Sequence, residues 1–168
     1  EAFESVEAIA LEKAAIMDGL NTKGTAVLNA DIPTAQVLRR MADQKSCVQI
    51  WFGQSAVDAQ LTLCKTHDDV TYAEVKLAEK TLSYELQSLG SHFVLNALGA
   101  MAALQALGAN ADLAARDMSL WKPVNGRGSR SLVDIPLGKI ELIDDSYNAN
   151  PASMAAALQV LAISKGER

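Results

Sequence analysis

The sequence predicts an α/β fold: a parallel sheet with helices, extended by an antiparallel section. Three observations carry that prediction. Two short apolar runs, "TAVLNA" and "CVQIWF", bracket a helical stretch with short links, the strand–helix–strand order of a parallel sheet. From Ala59 to Gln87 polar and apolar residues alternate, as in strands with one wet face. A long, almost wholly apolar stretch follows, "GSHFVLNALGAMAALQALG", and a helix apolar all round is a buried helix.

In chain order, the first twenty residues read as an amphipathic helix, with Phe3, Val6, Ile9, Ile16 and Leu20 at near-helical spacing. Gly24 is expected to end this segment in a left-handed conformation. After the strand "TAVLNA", Asp31 is placed to cap the next helix, with Pro33 in its first turn and Val37, Leu38 and Met41 on its apolar face. The strand at 47–52 closes at Gly53. Asp68-Asp69 marks a turn inside the alternating region. The apolar helix runs from about Ser91 to Leu107 and stops at Gly108, and a shorter helix is expected near Ala111 to Leu120. "KPVNGRGSR" at 122–130 reads as a joint between domains. Beyond it, "SLVDI" and "IELID" flank a "PLGK" turn, and a helix opens at Pro151. One hairpin and one helix are too little for an independent domain, so the chain is expected to be part of something longer.

With 168 residues the chain can bury roughly 70% of the surface it exposes when unfolded. A net charge of −5 argues against nucleic acid as a partner, because phosphate binding needs a basic face. No apolar run reaches the ~18–20 residues that span a bilayer, and no signal peptide is evident. Cys47 and Cys64 form no metal-binding spacing and read as reduced thiols of a cytoplasmic protein. His67 and His92 fit no metal motif.

The densest polar cluster is "DDSYNANP", where an apolar strand meets a helix start. Ligands bind at such junctions in α/β sheets, because backbone N–H groups and the helix dipole point there. Asp145 can accept hydrogen bonds from a ribose, and Asn148 and Asn150 can both donate and accept. A helix cap accounts for one of these residues but not for all of them. Arg127 lies between glycines, which allows a guanidinium to approach phosphate, although spacing alone equally describes an exposed linker arginine. Lys13, by itself, reads as a solvated helical lysine. Asn96 interrupts the apolar helix and either satisfies a neighbouring backbone group or faces a ligand. Neither G-x-x-x-x-G-K-[ST] nor G-x-G-x-x-G occurs, so any nucleotide site among these residues is incomplete.

"IDDSYNANPASMAAAL" resembles the signature of the Mur ligases, and the order of "EAFES…EKAAIMDGL…GTAVLNAD", "GSHFVLNALGAMAAL" and "GRG" is similar to the family's throughout. Within it, "SYNAN" points to the branch that adds D-alanyl-D-alanine to UDP-N-acetylmuramoyl-tripeptide. The resemblance implies the back half of the family's central ATPase domain over 1–121 and the beginning of its Rossmann-like C-terminal domain over 122–168. It implies ATP and Mg²⁺ as cofactors, those two substrates as partners, a cytoplasmic monomer at full length, and little activity without the Walker loop. The reaction it implies passes through an acyl phosphate, with catalysis mostly by positioning and charge neutralisation.

Residue roles follow from the same resemblance. Lys13 matches the lysine that the family carbamylates into an oxygen ligand for magnesium. Asn96 matches an adenine contact, Arg127 an arginine on the ATP phosphates, and Asp145 the aspartate on the ribose, with Asn148 close by. One position departs. The family reads His-Asn-x-x-Asn where this chain has His92-Phe93-Val94-Leu95-Asn96, so that a ring stands where an amide contacts the base. A different reading makes the chain a non-catalytic Mur-like nucleotide-binding or interaction module.

Overall fold

The computed structural model describes residues 3–166, and among them the strands form two sheets. Helix α1 (Val6–Ala14) and a 3₁₀ turn (Ala15–Gly19) precede strand β1 (Thr25–Asn29), helix α2 (Ala35–Lys45) and strand β2 (Val48–Gly53). Strands β3 (Ala59–His67), β4 (Val70–Leu77) and β5 (Lys80–Leu86) follow, then helices α3 (Ser91–Ala106) and α4 (Ala111–Asp117). The first sheet runs β1-β2-β3-β4-β5. It is parallel from β1 to β3 and antiparallel from β3 to β5, as the change in sequence period predicts.

One face of this sheet packs under α3 and α4 around Val75, Leu77, Leu86, Leu98 and Met101. The opposite face of the parallel half is covered by α1 and α2 around Ala14, Met17, Ala42 and Trp51. Val37 is buried and Leu38 and Met41 pack against the second cluster, the face expected of α2. Buried polar groups are paired: Tyr84 Oη donates to the Val94 carbonyl at 2.7 Å, and Thr71 Oγ1 donates to the Ser88 carbonyl at 2.8 Å.

Four local expectations are corrected. The packed side of α1 carries Ala10 and Ala14, continued by Met17 in the 3₁₀ turn, while Val6 and Ile16 are exposed. Small residues let α1 approach α2 closely, and the 3₁₀ turn changes the period just where Ile16 falls. Gly24 is not left-handed; Asn21 makes the turn by accepting from the amides of Lys23 and Gly24. Asp31 does not cap α2, whose N-cap is Thr34. Its carboxylate crosses instead to the loop after β2, accepting from Gln54 N at 2.6 Å and from Ser55 N and Oγ at 3.0 and 2.6 Å. Burial pushes the Asp31 carboxyl up, but these hydrogen bonds outweigh it and hold it below the ordinary range. Gly53 is required there, because a Cβ would stand 2.6 Å from the same carboxylate. Finally, α3 is buried on one side only; Asn96 and Ala100 lie on its open side.

The second sheet is the hairpin β6 (Ser129–Ile135) and β7 (Gly138–Asp144), followed by helix α5 (Pro151–Ile163). Much of its apolar surface is open: Leu132 is 73% and Leu142 48% exposed. Polar contacts tie this part to the first. The Arg130 guanidinium, 20% exposed, donates to Asp69 at 3.0 Å, Glu141 at 3.2 Å and Ser164 Oγ at 2.8 Å. Lys165 pairs with Asp68 in the β3–β4 turn.

Candidate functional site

Strand β7 ends at Asp144 and Asp145 follows directly, and successive residues of extended chain project to opposite sides. The pair therefore divides its work. Asp144 faces the 124–128 loop: Oδ2 accepts from Gly126 N at 3.0 Å, and Oδ1 accepts from Ser146 N at 3.1 Å and Ser146 Oγ at 2.6 Å. The hydroxyl and amide of Ser146 hold its carboxyl below the ordinary range. Gly128 N donates to the Asp144 carbonyl at 2.8 Å, and Tyr147 N to the Gly126 carbonyl at 2.9 Å. The two segments are thus stitched together across the mouth of the joint. Gly126 and Gly128 have φ of 77° and 81°, which favours glycine, and a Cβ at Gly128 would meet the Phe93 ring at 3.3 Å.

Asp145 turns the other way. It lines a cavity of about 420 Å³ together with Asn96 of α3, Arg127 of the loop and Asn148 before α5. Four of the five site residues expected from the sequence are brought together here, from elements on both sides of the joint. Arg127 is exposed, and its guanidinium lies over the Tyr147 ring at 4.0 Å from the centroid. Asn148 spends its carbonyl oxygen locally, accepting from Ala149 N at 2.9 Å. Asn150 is the helix cap: its Oδ1 accepts from Ser153 N at 2.9 Å while Ser153 Oγ accepts from Asn150 N at 3.0 Å. The N-terminal turn of α5 also faces the cavity through Ala152 and Ser153.

Lys13 stands apart. It is exposed on α1, whose packed side faces α2, and it does not line this cavity. Among the described residues no three His, Cys, Asp or Glu side chains converge as metal ligands. The residues at hand do not by themselves make a magnesium site.

Three contributors escape the sequence reading. Tyr147 sits inside the polar cluster, yet nothing local signals that it carries Arg127. Trp121 contacts Phe93 at 5.2 Å between ring centroids, across a helix end. His92 contacts the same ring at 4.0 Å; burial pulls its imidazole below the ordinary value, opposed by the nearby Asp145 carboxylate. A second cavity of about 290 Å³ shares Phe93, Asn96 and Arg127 with the first and extends to Trp121 between mainly apolar walls.

The pocket thus lies between α3 and the Asp–Ser–Tyr–Asn turn that follows β7. Residues 1–104 match the family model described as the Mur ligase middle domain. The chain belongs to that family. It is 34% identical over 172 residues to the UDP-N-acetylmuramoyl-tripeptide--D-alanyl-D-alanine ligase of Escherichia coli K12, covering 100% of this chain and 36% of the relative. It is 32% identical to the enzyme of the same name from Mycobacterium tuberculosis H37Rv, covering 95% of this chain and 31% of that one. Among solved structures it superposes on MurF from Acinetobacter baumannii with a TM-score of 0.87 at 27% identity, over 98% of this chain and 35% of that one. A MurF ligase from Thermotoga maritima in complex with ADP shares the fold, with a TM-score of 0.80 at 23% identity over 99% and 37%. This member of the Mur ligase family therefore spans about a third of the length of its relatives. Its mixed sheet and flanking helices are those of the family's central domain.

Proposed function

We propose that the protein carrying this chain is an ATP-dependent amide ligase that joins D-alanyl-D-alanine to UDP-N-acetylmuramoyl-tripeptide. The product is a precursor of the cell wall, so the activity serves cell shape and division, and it is exercised in the cytoplasm by a monomer. Residues 1–121 contribute the later part of the central ATPase domain and 122–168 the opening of the C-terminal domain. Among the described residues no helix is long and apolar enough to cross a membrane. The observation that carries the reading is the divergence of the two aspartates: Asp144 is consumed by loop contacts, and Asp145 is left on the cavity opposite Asn96 and Arg127.

On this reading Asp145 accepts from the ribose hydroxyls and Asn96 contacts the base. Arg127 leaves Tyr147 to meet the phosphates. A carboxylate oxygen of the tripeptide attacks the γ-phosphorus and ADP departs, leaving an acyl phosphate. The amine of the dipeptide then adds to the acyl carbon, loses a proton, and inorganic phosphate is expelled. Arg127 supplies positive charge where the phosphoryl group moves, the kind of preorganised electrostatics that dominates such reactions. Lys13, if carbamylated, would offer an oxygen ligand to Mg²⁺, and the remaining ligands would have to come from elsewhere in the protein.

Asp145→Ala tests the assignment in the full-length protein. Calorimetry should show ATP affinity reduced about 10- to 100-fold, as for lost hydrogen bonds to a charged acceptor. Arg127→Ala should lower turnover more than affinity. Unchanged ATP binding in Asp145→Ala would remove the nucleotide from this cavity.

A further inference from the structure

We infer that α5 is a lever held by an ionic latch at its far end, on the tip of the β3–β4 turn, so that the mouth of the Asp145 cavity is set by charges that do not touch it. The inference goes beyond the proposed reaction and holds for whatever the cavity binds. The helix has 13 residues and is about 20 Å long. Its first turns line the cavity through Ala152, Ser153 and Ala156. Val160, two turns further on, is buried against Gly90, the N-cap of α3. Gly90 has φ of 121°, and a Cβ there would stand 3.3 Å from a Val160 methyl, so the missing side chain makes room for the point on which α5 bears. Past that point, Ser164 Oγ accepts from Arg130 at 2.8 Å and Lys165 pairs with Asp68. Arg130 also reaches the neighbouring Asp69 at 3.0 Å. Two cations from one side of the joint thus meet two adjacent carboxylates of one turn.

The latch is built to release. The Asp68 and Lys165 side chains are 52% and 76% exposed, and exposed pairs are individually weak and screened by salt. The hydrogen bond between them comes first in holding the Asp68 carboxyl below its ordinary range and the Lys165 ammonium above its own. Arg130 has a second carboxylate, Glu141 at 3.2 Å, inside its own hairpin, so letting go of Asp69 does not strand a buried charge. A rotation that lifts Lys165 from the turn pivots at Val160 and carries the first turn of α5 across the cavity mouth.

The test uses pulsed electron–electron double resonance on the full-length protein without nucleotide. Spin labels are attached to keto-bearing amino acids at positions 107 and 154, which are exposed and do not line the cavity. At low salt the wild type should give one narrow distance peak. Asp68→Asn combined with Asp69→Asn should raise the population outside that peak about threefold or more. Asparagine tolerates the φ of 52° at position 68, so the turn is kept. Molar salt should have the same effect on the wild type and little further effect on the double variant. Glu141→Gln, which leaves both latch pairs intact, should keep the wild-type peak. An unchanged peak in the double variant would overturn the inference. So would an equal change in Glu141→Gln, or a salt response undiminished by the double substitution. Nucleotide binding is not read in these measurements, so their failure would leave the nucleotide assignment standing.

Discussion

The two parts that meet at the cavity are built on different principles. In the first, Val75, Leu98 and Met101 are completely buried between the sheet and α3, and order comes from apolar packing. In the hairpin and α5, Val160 and Ser164 are the buried residues among those described from Ser129 on, and order comes from polar contacts: Asp144 to Gly126, Arg130 to Asp69 and Glu141, and the Asn150 cap. Packed cores resist deformation, whereas a few hydrogen bonds can be exchanged for others. The difference teaches where motion belongs. α3 supplies a fixed wall holding Asn96 and Phe93, while Asp145, Arg127 and Asn148 ride on the part that can shift.

Substitutions can break or sharpen that contrast. The largest effect is expected from the core: Leu98→Ala should cost about 3–5 kcal/mol in chemical denaturation, because the cavity it leaves cannot collapse. Leu142→Ala, at a side chain 48% exposed, should cost less than about 0.5 kcal/mol. Equal losses at the two sites would erase the distinction.

Next comes the seam. Arg130→Ala removes a mostly buried guanidinium with three partners and should cost about 1.5–3 kcal/mol. Hydrogen exchange should then quicken in β6 and the β3–β4 turn while α3 stays protected. Faster exchange in α3 would mean that the two parts are not separable in this way.

The cap is smaller again. Asn150→Ala should cost about 1 kcal/mol and fray the first turn of α5, read as faster amide exchange at Ala152 and Ser153.

The smallest effect is the pH dependence from His92. Its folded value lies below the ordinary 6.5 because burial disfavours the cation. The unfolded chain therefore takes up the proton first as pH falls, and the stability present above 6.5 declines toward the lower folded value. His92→Gln should flatten that stretch of the stability profile. Asp31, whose carboxyl is lowered from 3.8, acts in a separate acidic window: its contribution is present above 3.8 and is lost as pH falls further.

Much of the fold was legible because local rules and tertiary packing agree. The period change at Ala59 marks the switch from parallel to antiparallel pairing, and the Pro151 helix begins at an asparagine cap. Legibility failed where a residue serves a distant partner. Asp31 looks like a helix cap but answers to Gln54 and Ser55, more than twenty positions away. Asn96 looks like a buried amide because its neighbours are apolar, yet it faces the open side of α3. For the site, the resemblance indicated Lys13, Asn96, Arg127, Asp145 and Asn148, and the fold gathers the last four while Lys13 stands apart. The roles of Asp144, Tyr147 and Trp121 were not readable, since each depends on a contact with a residue about twenty or more positions away in the chain.

By itself the sequence determined the strand and helix periodicities, the asparagine cap before Pro151 and the motif that marks the family, all of which act within a few residues along the chain. Only the tertiary structure decided which aspartate is tied up and which is available, which side of the apolar helix stays open, and which rings close the apolar cavity. Those outcomes depend on strand alternation and on backbone approach between segments distant in sequence, and no local rule carries that information.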